Sequence, residues 1–247
     1  MVPLNEIAAY CDQRLQIAEF DDYCPNGLQV EAGQQVSKIV SGVTASLALI
    51  DAAIQQQADL LLVHHGYFWR GEPAPLRGMK GRRIQRLMQN HLSLLAYHLP
   101  LDAHAVLGNN AQLGRLLGLL GAPTEENPLL WGADLPSPCS ALQFATQIKQ
   151  YLQRKPTLID NGRTIQRVAW CTGAAQHAIE QAAAAGYDAF ISGEISEQTQ
   201  HQAHELGISY FAAGHHATER YGVQALGEEL AEKFSLVHEF IDIPNPA

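Results

Sequence analysis

The chain has 247 residues, enough to bury a sizeable core in either one large domain or two smaller ones. Hydrophobic residues make up 47% and charged residues 17%, which excludes a disordered chain, and the net charge of −9 argues against non-specific nucleic-acid binding. The sequence has no apolar run of the roughly 20 residues that a membrane helix needs, no secretion-signal pattern and no CxxC pair among its four cysteines. We therefore expect a cytoplasmic globular protein with reduced thiols and no membrane association.

The first predicted unit of secondary structure covers residues 38–66 and reads as strand, amphipathic helix, strand. Its second strand is an apolar run that ends on His64 and His65, followed by Gly66. Adjacent strand residues point to opposite faces, so the two imidazoles share a site only if the strand ends there and the backbone turns. The carboxyl ends of strands are where open α/β sheets bind ligands, so this position is a candidate site.

A basic segment follows at residues 70–86. It carries one acid, Glu72, and six basic residues: Arg70, Arg77, Lys80, Arg82, Arg83 and Arg86. One interpretation is a solvated helix face or a subunit contact, the usual role of such a run. The other is a phosphate-binding surface built from Arg77, Lys80, Arg82 and Arg83. No glycine-rich phosphate loop is present, so a nucleotide would be held by metal and arginine.

The pattern of residues 38–66 recurs without a gap at residues 167–195, which predicts two related βαβ units. Farther on, residues 94–104 parallel residues 210–220, and a histidine followed four residues later by an acid appears in both. The proline-rich stretch 121–140 is the natural connector. We predict a first α/β repeat at 1–125 and a second at 126–247, intertwined with the first.

Imidazole and carboxylate side chains gather at the ends of the predicted strands of both halves. They are His64, His65, Asp102, His215 and Glu219. Nitrogen and oxygen donors of this kind suit Zn, Fe, Mn, Co or Ni. Because this group of side chains contains no cysteine, it does not predict a structural thiolate zinc site. Because five or six such ligands are too many for one tetrahedral ion, we expect two divalent ions roughly 3.5–4 Å apart.

Two neighbouring residues have open roles. His98 is either a further ligand or proton shuttle, or a group that orients Asp102. Glu194, which aligns with His65, is either a general base for catalysis or a charge that complements the start of a helix. We name Glu194 and His98 as the candidate catalytic residues.

Several strings resemble the YbgI-like family, also called GTP cyclohydrolase type 2-like or Nif-three-like. They are PNGLQV, GVTAS, VHHGYFW, HLPLDAHAVLGNNAQL, SGEISEQT, AAGHHATER and IDIPNPA. The resemblance implies a duplicated α/β fold of two intertwined repeats with mixed sheets, a dinuclear metal site in the cleft between them, and a ring-shaped homohexamer. It also implies the same five ligands, with no departure at those positions.

The leading functional hypothesis is a metal-dependent hydrolase that acts on a nucleotide-like or other anionic small molecule, as GTP cyclohydrolase does. One alternative is a protein that stores or delivers metal without turnover. Another is a ring that binds nucleic acid or a partner protein, against which the acidic balance counts.

Overall fold

The computed structural model describes all 247 residues and divides them into two compact units. Unit 1 comprises Met1–Leu101 and Gly222–Pro244, and unit 2 comprises Asp102–Tyr221 and Asn245–Ala247. The strands are β1 (Val2–Pro3), β2 (Gly27–Val30), β3 (Gln35–Val36), β4 (Lys38–Thr44), β5 (Leu60–His65), β6 (Ser93–Ala96), β7 (Ala122–Pro123), β8 (Trp131–Cys139), β9 (Thr157–Ile159), β10 (Ile165–Cys171), β11 (Ala189–Ser192), β12 (Ser209–Ala212) and β13 (Val237–Phe240). The helices are α1 (Leu4–Arg14), α2 (Leu47–Gln55), α3 (Gly78–Gln89), α4 (Leu99–Ala103), α5 (Asn109–Leu116), α6 (Ala141–Leu152), α7 (Ile179–Ala184), α8 (Thr199–Leu206), α9 (His215–Thr218) and α10 (Arg220–Phe234). None of these helices combines the length and the apolar character needed to cross a bilayer.

Unit 1 is built on a five-stranded sheet in the order β13-β4-β5-β6-β2. The first four strands run parallel and β2 pairs antiparallel with β6. Strand β5 lies at the centre, and its residues Leu60–Val63 are fully buried, as the continuous apolar run predicts for a strand covered on both faces. Burying each such side chain stabilises the fold by about 1.5–3 kcal/mol, so this strand holds the histidines at its end on a rigid support.

Unit 2 is built on a six-stranded sheet in the order β7-β8-β10-β11-β12-β9. Strands β10, β11 and β12 are parallel, whereas β8 and β9 are antiparallel neighbours at either side. Helix α6 starts at a capping box in which Ser140 and Gln143 satisfy each other's backbone N–H groups. Its apolar face buries Phe144 and Ile148 against this sheet.

The predicted duplication is confirmed by the two sheets. Three parallel strands, β4-β5-β6 and β10-β11-β12, end in both units on an antiparallel edge strand. The aligned residues Asp59 and Asp188 also make the same contacts. Each carboxylate accepts hydrogen bonds from two successive backbone N–H groups, at the start of β4 and of β10, respectively. The chain is therefore a duplicated α/β protein with mixed sheets.

The compact units do not coincide with the predicted halves 1–125 and 126–247. Residues 102–125 belong to unit 2, and 222–244 return to unit 1, where β13 pairs with β4. The proline-rich stretch 121–140 is not a linker, since it forms β7 and β8, which pair with each other and join the second sheet through β10. Its prolines are tolerated because both strands lie toward the edge of that sheet.

The two histidine-acid motifs are offset by one residue in the backbone. Tyr97 donates its N–H to Val63, and Ala213 donates its N–H to Ser192 in the equivalent position. His98 directly follows Tyr97, whereas Gly214 separates Ala213 from the second histidine. Gly214 has a φ of +103°, a conformation that favours glycine, so the second half turns through an additional residue.

Candidate metal-binding groups in the two units

Unit 1 gathers three imidazoles at the end of the central strand. The rings of His64 and His65 lie 4.6 Å apart, and that of His98 lies 5.1 Å from His64 and 5.7 Å from His65. One nitrogen of each ring lies within 4.8 Å of the other two. The strand ends at His65 and the chain bends at Tyr67, and a strand end followed by a bend is the condition under which adjacent histidines share a site.

The Nδ1 atom of each of these rings is held by a neighbour. In fully buried His64 it lies 2.8 Å from the Tyr97 carbonyl oxygen, and in His65 it lies 3.1 Å from the Thr44 hydroxyl. Because a carbonyl can only accept, the His64 Nδ1 carries the proton and the neutral ring has its lone pair on Nε2. Metal-binding histidines are oriented in this way by their surroundings.

His98 is held by a carboxylate that the sequence analysis did not single out. Its Nδ1 donates to Asp22 Oδ1 at 2.7 Å, and its backbone N–H donates to Asn26. Burial alone would raise the pKa of Asp22, but its hydrogen bonds and the imidazole lower the pKa to about 2. The Nε2 atom of His98 is therefore the nitrogen that remains for a ligand role.

A second grouping in unit 1, formed by Asp22, Cys24 and His98, also has ligand atoms within 4.8 Å of one another. Burial raises the pKa of the Cys24 thiol to about 12, so this group stays protonated. Both oxygens of Asp22 already accept two hydrogen bonds each. A carboxylate offers about four lone-pair positions, so this grouping orients His98 and is not itself a metal site.

Unit 2 contains a second group of candidate ligands, formed by His215 and Glu219. The His215 Nε2 lies 3.0 Å from Glu219 Oε2, and its Nδ1 lies 2.7 Å from Glu194 Oε1. Burial favours the neutral imidazole, but the two carboxylates outweigh it and raise the pKa of His215 to about 9. Buried Glu219 is thus placed beside a positive charge, which a metal ion can supply in place of the proton.

The sequence folds closely around Glu219. Gly173 has a φ of +69°, and a Cβ atom at this position would overlap Glu219 Oε1. The Gly173 N–H also donates to the Thr218 hydroxyl at 3.1 Å. Only glycine at position 173 therefore leaves room for the carboxylate.

Asp102 lies in unit 2 in a polar pocket that the sequence analysis did not predict. Its Oδ1 accepts a hydrogen bond from Asn109 at 2.8 Å and one from the Thr172 hydroxyl at 3.3 Å. Asn110 donates to the Asp102 carbonyl and accepts from the Thr172 N–H. Both asparagines are fully buried at the start of α5, and this pair of adjacent amides was the available signal in the sequence.

The remaining predicted residues have distinct settings. Exposed Arg77 and Arg82 line a cavity of about 480 Å³ at the start of α3. Lys80 is already engaged, because its Nζ lies 2.6 Å from the Pro73 carbonyl and 3.4 Å from Glu72. Arg83 is partly buried.

His104 and Glu194 each have a structural partner. The His104 Nδ1 accepts the backbone N–H groups of Val106 and Leu107, so this ring caps a turn and has the opposite tautomer to His64. Glu194 is 40% exposed and holds His215 through the hydrogen bond at Nδ1. The structure thus gives Glu194 an orienting contact that neither sequence-based role anticipated.

Comparison with known proteins identifies similar sequences and structures over the full chain. Residues 2–246 match the family model described as Duf34/NIF3 (NGG1p interacting factor 3). A Pseudomonas aeruginosa protein named GTP cyclohydrolase 1 type 2 homolog is 55% identical and covers 100% of this chain and 99% of its own length. An Escherichia coli protein of the same name is 52% identical over 98% of this chain and 99% of its own. The solved structure of protein ybgI, described as of unknown function, superposes with a TM-score of 0.97 at 51% identity and covers 100% of both chains.

Proposed function

The chain belongs to the Duf34/NIF3 family, and from this membership and the oriented imidazoles we propose that it is a metal-dependent hydrolase acting on an anionic small molecule. We propose that the protein binds two divalent ions and that their ligands are His64, His65, Asp102, His215 and Glu219. The relatives named GTP cyclohydrolase 1 type 2 homolog favour a nucleotide-like substrate. The site chemistry favours hydrolysis because imidazole and carboxylate donors suit ions that activate water.

The observation that carries the proposal is the orientation of the histidines. The Nδ1 atoms of His64 and His215 are fixed by a carbonyl and a carboxylate, respectively, and we propose that Nε2 is the metal-binding atom of each ring, an ion taking the place of the proton between His215 Nε2 and Glu219. Metal-ligating histidines almost always donate their other ring N–H to a carbonyl or carboxylate in this way, which fixes the tautomer and the orientation of the ring. The donor set contains no thiolate, so Zn, Fe, Mn, Co and Ni all fit it.

The chain's own groups prepare the site for this chemistry. When bound, the ions would supply Lewis-acid polarisation of the substrate and activation of water. Asn109 and Thr172 fix the position of the Asp102 carboxylate through hydrogen bonds to its Oδ1. Glu194 fixes the tautomer of His215, and we assign it this orienting role in the reaction.

We propose that Arg77 and Arg82 bind the phosphate or another anionic group of the substrate. Both are exposed and line one cavity, whereas the Lys80 ammonium is engaged by Glu72 and a backbone carbonyl. A single guanidinium group can donate two parallel hydrogen bonds to a phosphate, and two such groups at one cavity add positive charge that favours an anionic group. We further propose that the protein assembles as a homohexamer, which light scattering tests against the 27.0 kDa of one chain.

The function is tested by loading metal-free protein separately with Zn²⁺, Mn²⁺, Fe²⁺, Co²⁺ and Ni²⁺ and incubating it with a panel of nucleotides and phosphoesters. Mass spectrometry of the products should reveal turnover that disappears in Glu219→Gln and persists in His216→Ala. Transfer of bound metal to an acceptor without any turnover would overturn the hydrolase in favour of a metal-delivery protein. Absence of metal binding would overturn both.

A further inference from the structure

A cavity of about 440 Å³ opens in unit 1 between the segment that follows α1 and the segment that follows β5. None of the five proposed metal ligands lines it. The residues that do so include Phe20, Asp21, Tyr23, Cys24, Phe68 and Arg70. Cavities that bind small molecules have volumes of roughly 300–1,000 Å³ and are lined mainly by apolar and aromatic side chains with a few polar groups. This cavity has that size and that composition.

Tyr23 and Phe68 supply aromatic surface to the cavity. Tyr23 is 58% exposed, so much of its ring is open to a ligand. Phe68 has a φ of +66°, which is a strained conformation for a bulky side chain. Residues held in strained conformations cluster at ligand-binding and catalytic sites. Both rings therefore suit a flat aromatic ligand, and every nucleobase has a π-face that stacks on such rings.

Polar groups at the rim of the cavity match the edge of a nucleobase. Arg70 Nη2 donates to Asp21 Oδ1 at 2.8 Å and to the Asp22 carbonyl at 3.1 Å. These bonds hold the guanidinium in place, and its other N–H groups remain for a ligand because the side chain is exposed. Exposed Asp21 adds a carboxylate acceptor. The rim thus presents donors beside an acceptor, and the edges of nucleobases carry both kinds of group.

The cavity adjoins two other features of unit 1. On one side, the Tyr23 ring meets the His98 ring edge-on at a centroid distance of 6.2 Å. On the other side, the Lys80 Nζ atom lies 5.7 Å from the centroid of the Phe68 ring. Lys80 belongs to α3, and the start of this helix carries the two arginines proposed to bind phosphate. The cavity therefore lies next to both the imidazoles and the phosphate-binding helix.

We propose that this cavity binds the base of a nucleotide, that Tyr23 and Phe68 supply its stacking surface, and that Asp21 and Arg70 bind its polar edge. This inference rests on the proposed function, since it gives the base of the nucleotide-like substrate a binding site of its own. Tyr23 is then a specificity-determining residue, because an anionic molecule without a base gains nothing from its ring.

The test measures binding to the purified full chain by calorimetry, with guanosine monophosphate and ribose phosphate as the probes. Both probes carry the phosphate at the same position of the sugar, and only the first carries a base. Tyr23→Leu removes the ring but keeps an apolar side chain, and Asp21→Asn removes the charge of the acceptor. Tyr151→Leu is the matched control, because Tyr151 is an exposed tyrosine of unit 2. Circular dichroism checks that each variant is folded.

We expect Tyr23→Leu to weaken the binding of guanosine monophosphate by ~10–100-fold, as the loss of base stacking on an aromatic ring does, and to leave the binding of ribose phosphate unchanged. Asp21→Asn should also weaken only the probe with the base, and Tyr151→Leu should behave as the parent does. Joint replacement of the two arginines of α3 by Gln should instead weaken both probes.

The inference is overturned if the parent binds the two probes equally or binds neither of them. It is also overturned if Tyr23→Leu changes the affinity for both probes by the same factor or for neither. The proposed function stands in each of these cases as long as the metal-loaded chain turns over a substrate from the panel described above. Should Tyr23→Leu not fold, Asp21→Asn with the same two probes decides the matter alone.

Discussion

Replacing Asn109 by alanine tests how the fold presents Asp102. Asn109 is fully buried and its amide donates to the Asp102 carboxylate at 2.8 Å. A hydrogen bond to a charged group contributes about 1.5–3 kcal/mol. Without Asn109, the Asp102 Oδ1 atom would keep the longer hydrogen bond from the Thr172 hydroxyl at 3.3 Å. We therefore expect Asn109→Ala to lower the free energy of unfolding by about 2 kcal/mol or more, measured by urea denaturation.

The same variant should also affect metal binding. Loss of an orienting partner of a ligand typically weakens metal affinity by ~10–100-fold, which equilibrium dialysis with Zn²⁺ measures directly. Gln112→Ala is the control, because Gln112 lies on the same helix α5 and its amide makes a solvent-exposed bond to a carbonyl. If the two variants show the same stability and the same Zn²⁺ affinity, Asn109 does not position Asp102 and the reasoning fails.

Three other changes test separate parts of the account. Gly173→Ala should destabilise the protein by about 1–3 kcal/mol through backbone strain, and it should also reduce the metal content because the new Cβ atom would overlap Glu219. Gly162 is the control, because its φ is a similar +77° but the space around it is open. Gly162→Ala should therefore show the strain and keep its metal. His238 is partly buried, and burial lowers its pKa below the ordinary 6.5, with a neighbouring carboxylate opposing this only in part. The folded state therefore binds fewer protons than the unfolded state. The stabilisation from neutral His238 is present above pH 6.5 and is lost as the pH falls through the lowered pKa. His238→Gln should flatten that part of the curve of unfolding free energy against pH, and an unchanged curve would contradict the prediction. Joint replacement of Arg77 and Arg82 by Gln should weaken the binding of nucleoside phosphates most at low salt without changing metal content, as calorimetry at two ionic strengths would show, and equal affinity would return the segment to a surface role.

The sequence was sufficient to predict the repeated βαβ units because their signals are local. The continuous apolar run at Leu60–Val63 and the paired aspartates Asp59 and Asp188 each act within one repeat. The boundary between the units was not predictable in the same way. Strand β13 joins unit 1 by pairing with β4 across almost the whole length of the chain, a long-range contact that no local composition reveals.

The candidate ligands were predictable from residue type and spacing, whereas the groups that orient them were not. The His64 partner is a backbone carbonyl, which has no signature in sequence. Asp22 meets His98 across 76 residues, and only the turn that follows α1 brings it there. The sequence predicted a catalytic or helix-start role for Glu194. Its contact with His215 was not predictable, because that contact depends on where α9 begins.

The measurement that tests the central claim most directly is element-resolved metal analysis of three purified proteins: the parent, Glu219→Gln and His216→Ala. Glu219 is buried beside the His215 ring and has two oxygens, so we predict that it bridges two ions and that glutamine, which lacks its charge, reduces the content to at most one ion per chain. The parent and His216→Ala should each retain two. Two ions retained in Glu219→Gln, or equal losses in both variants, would contradict the account.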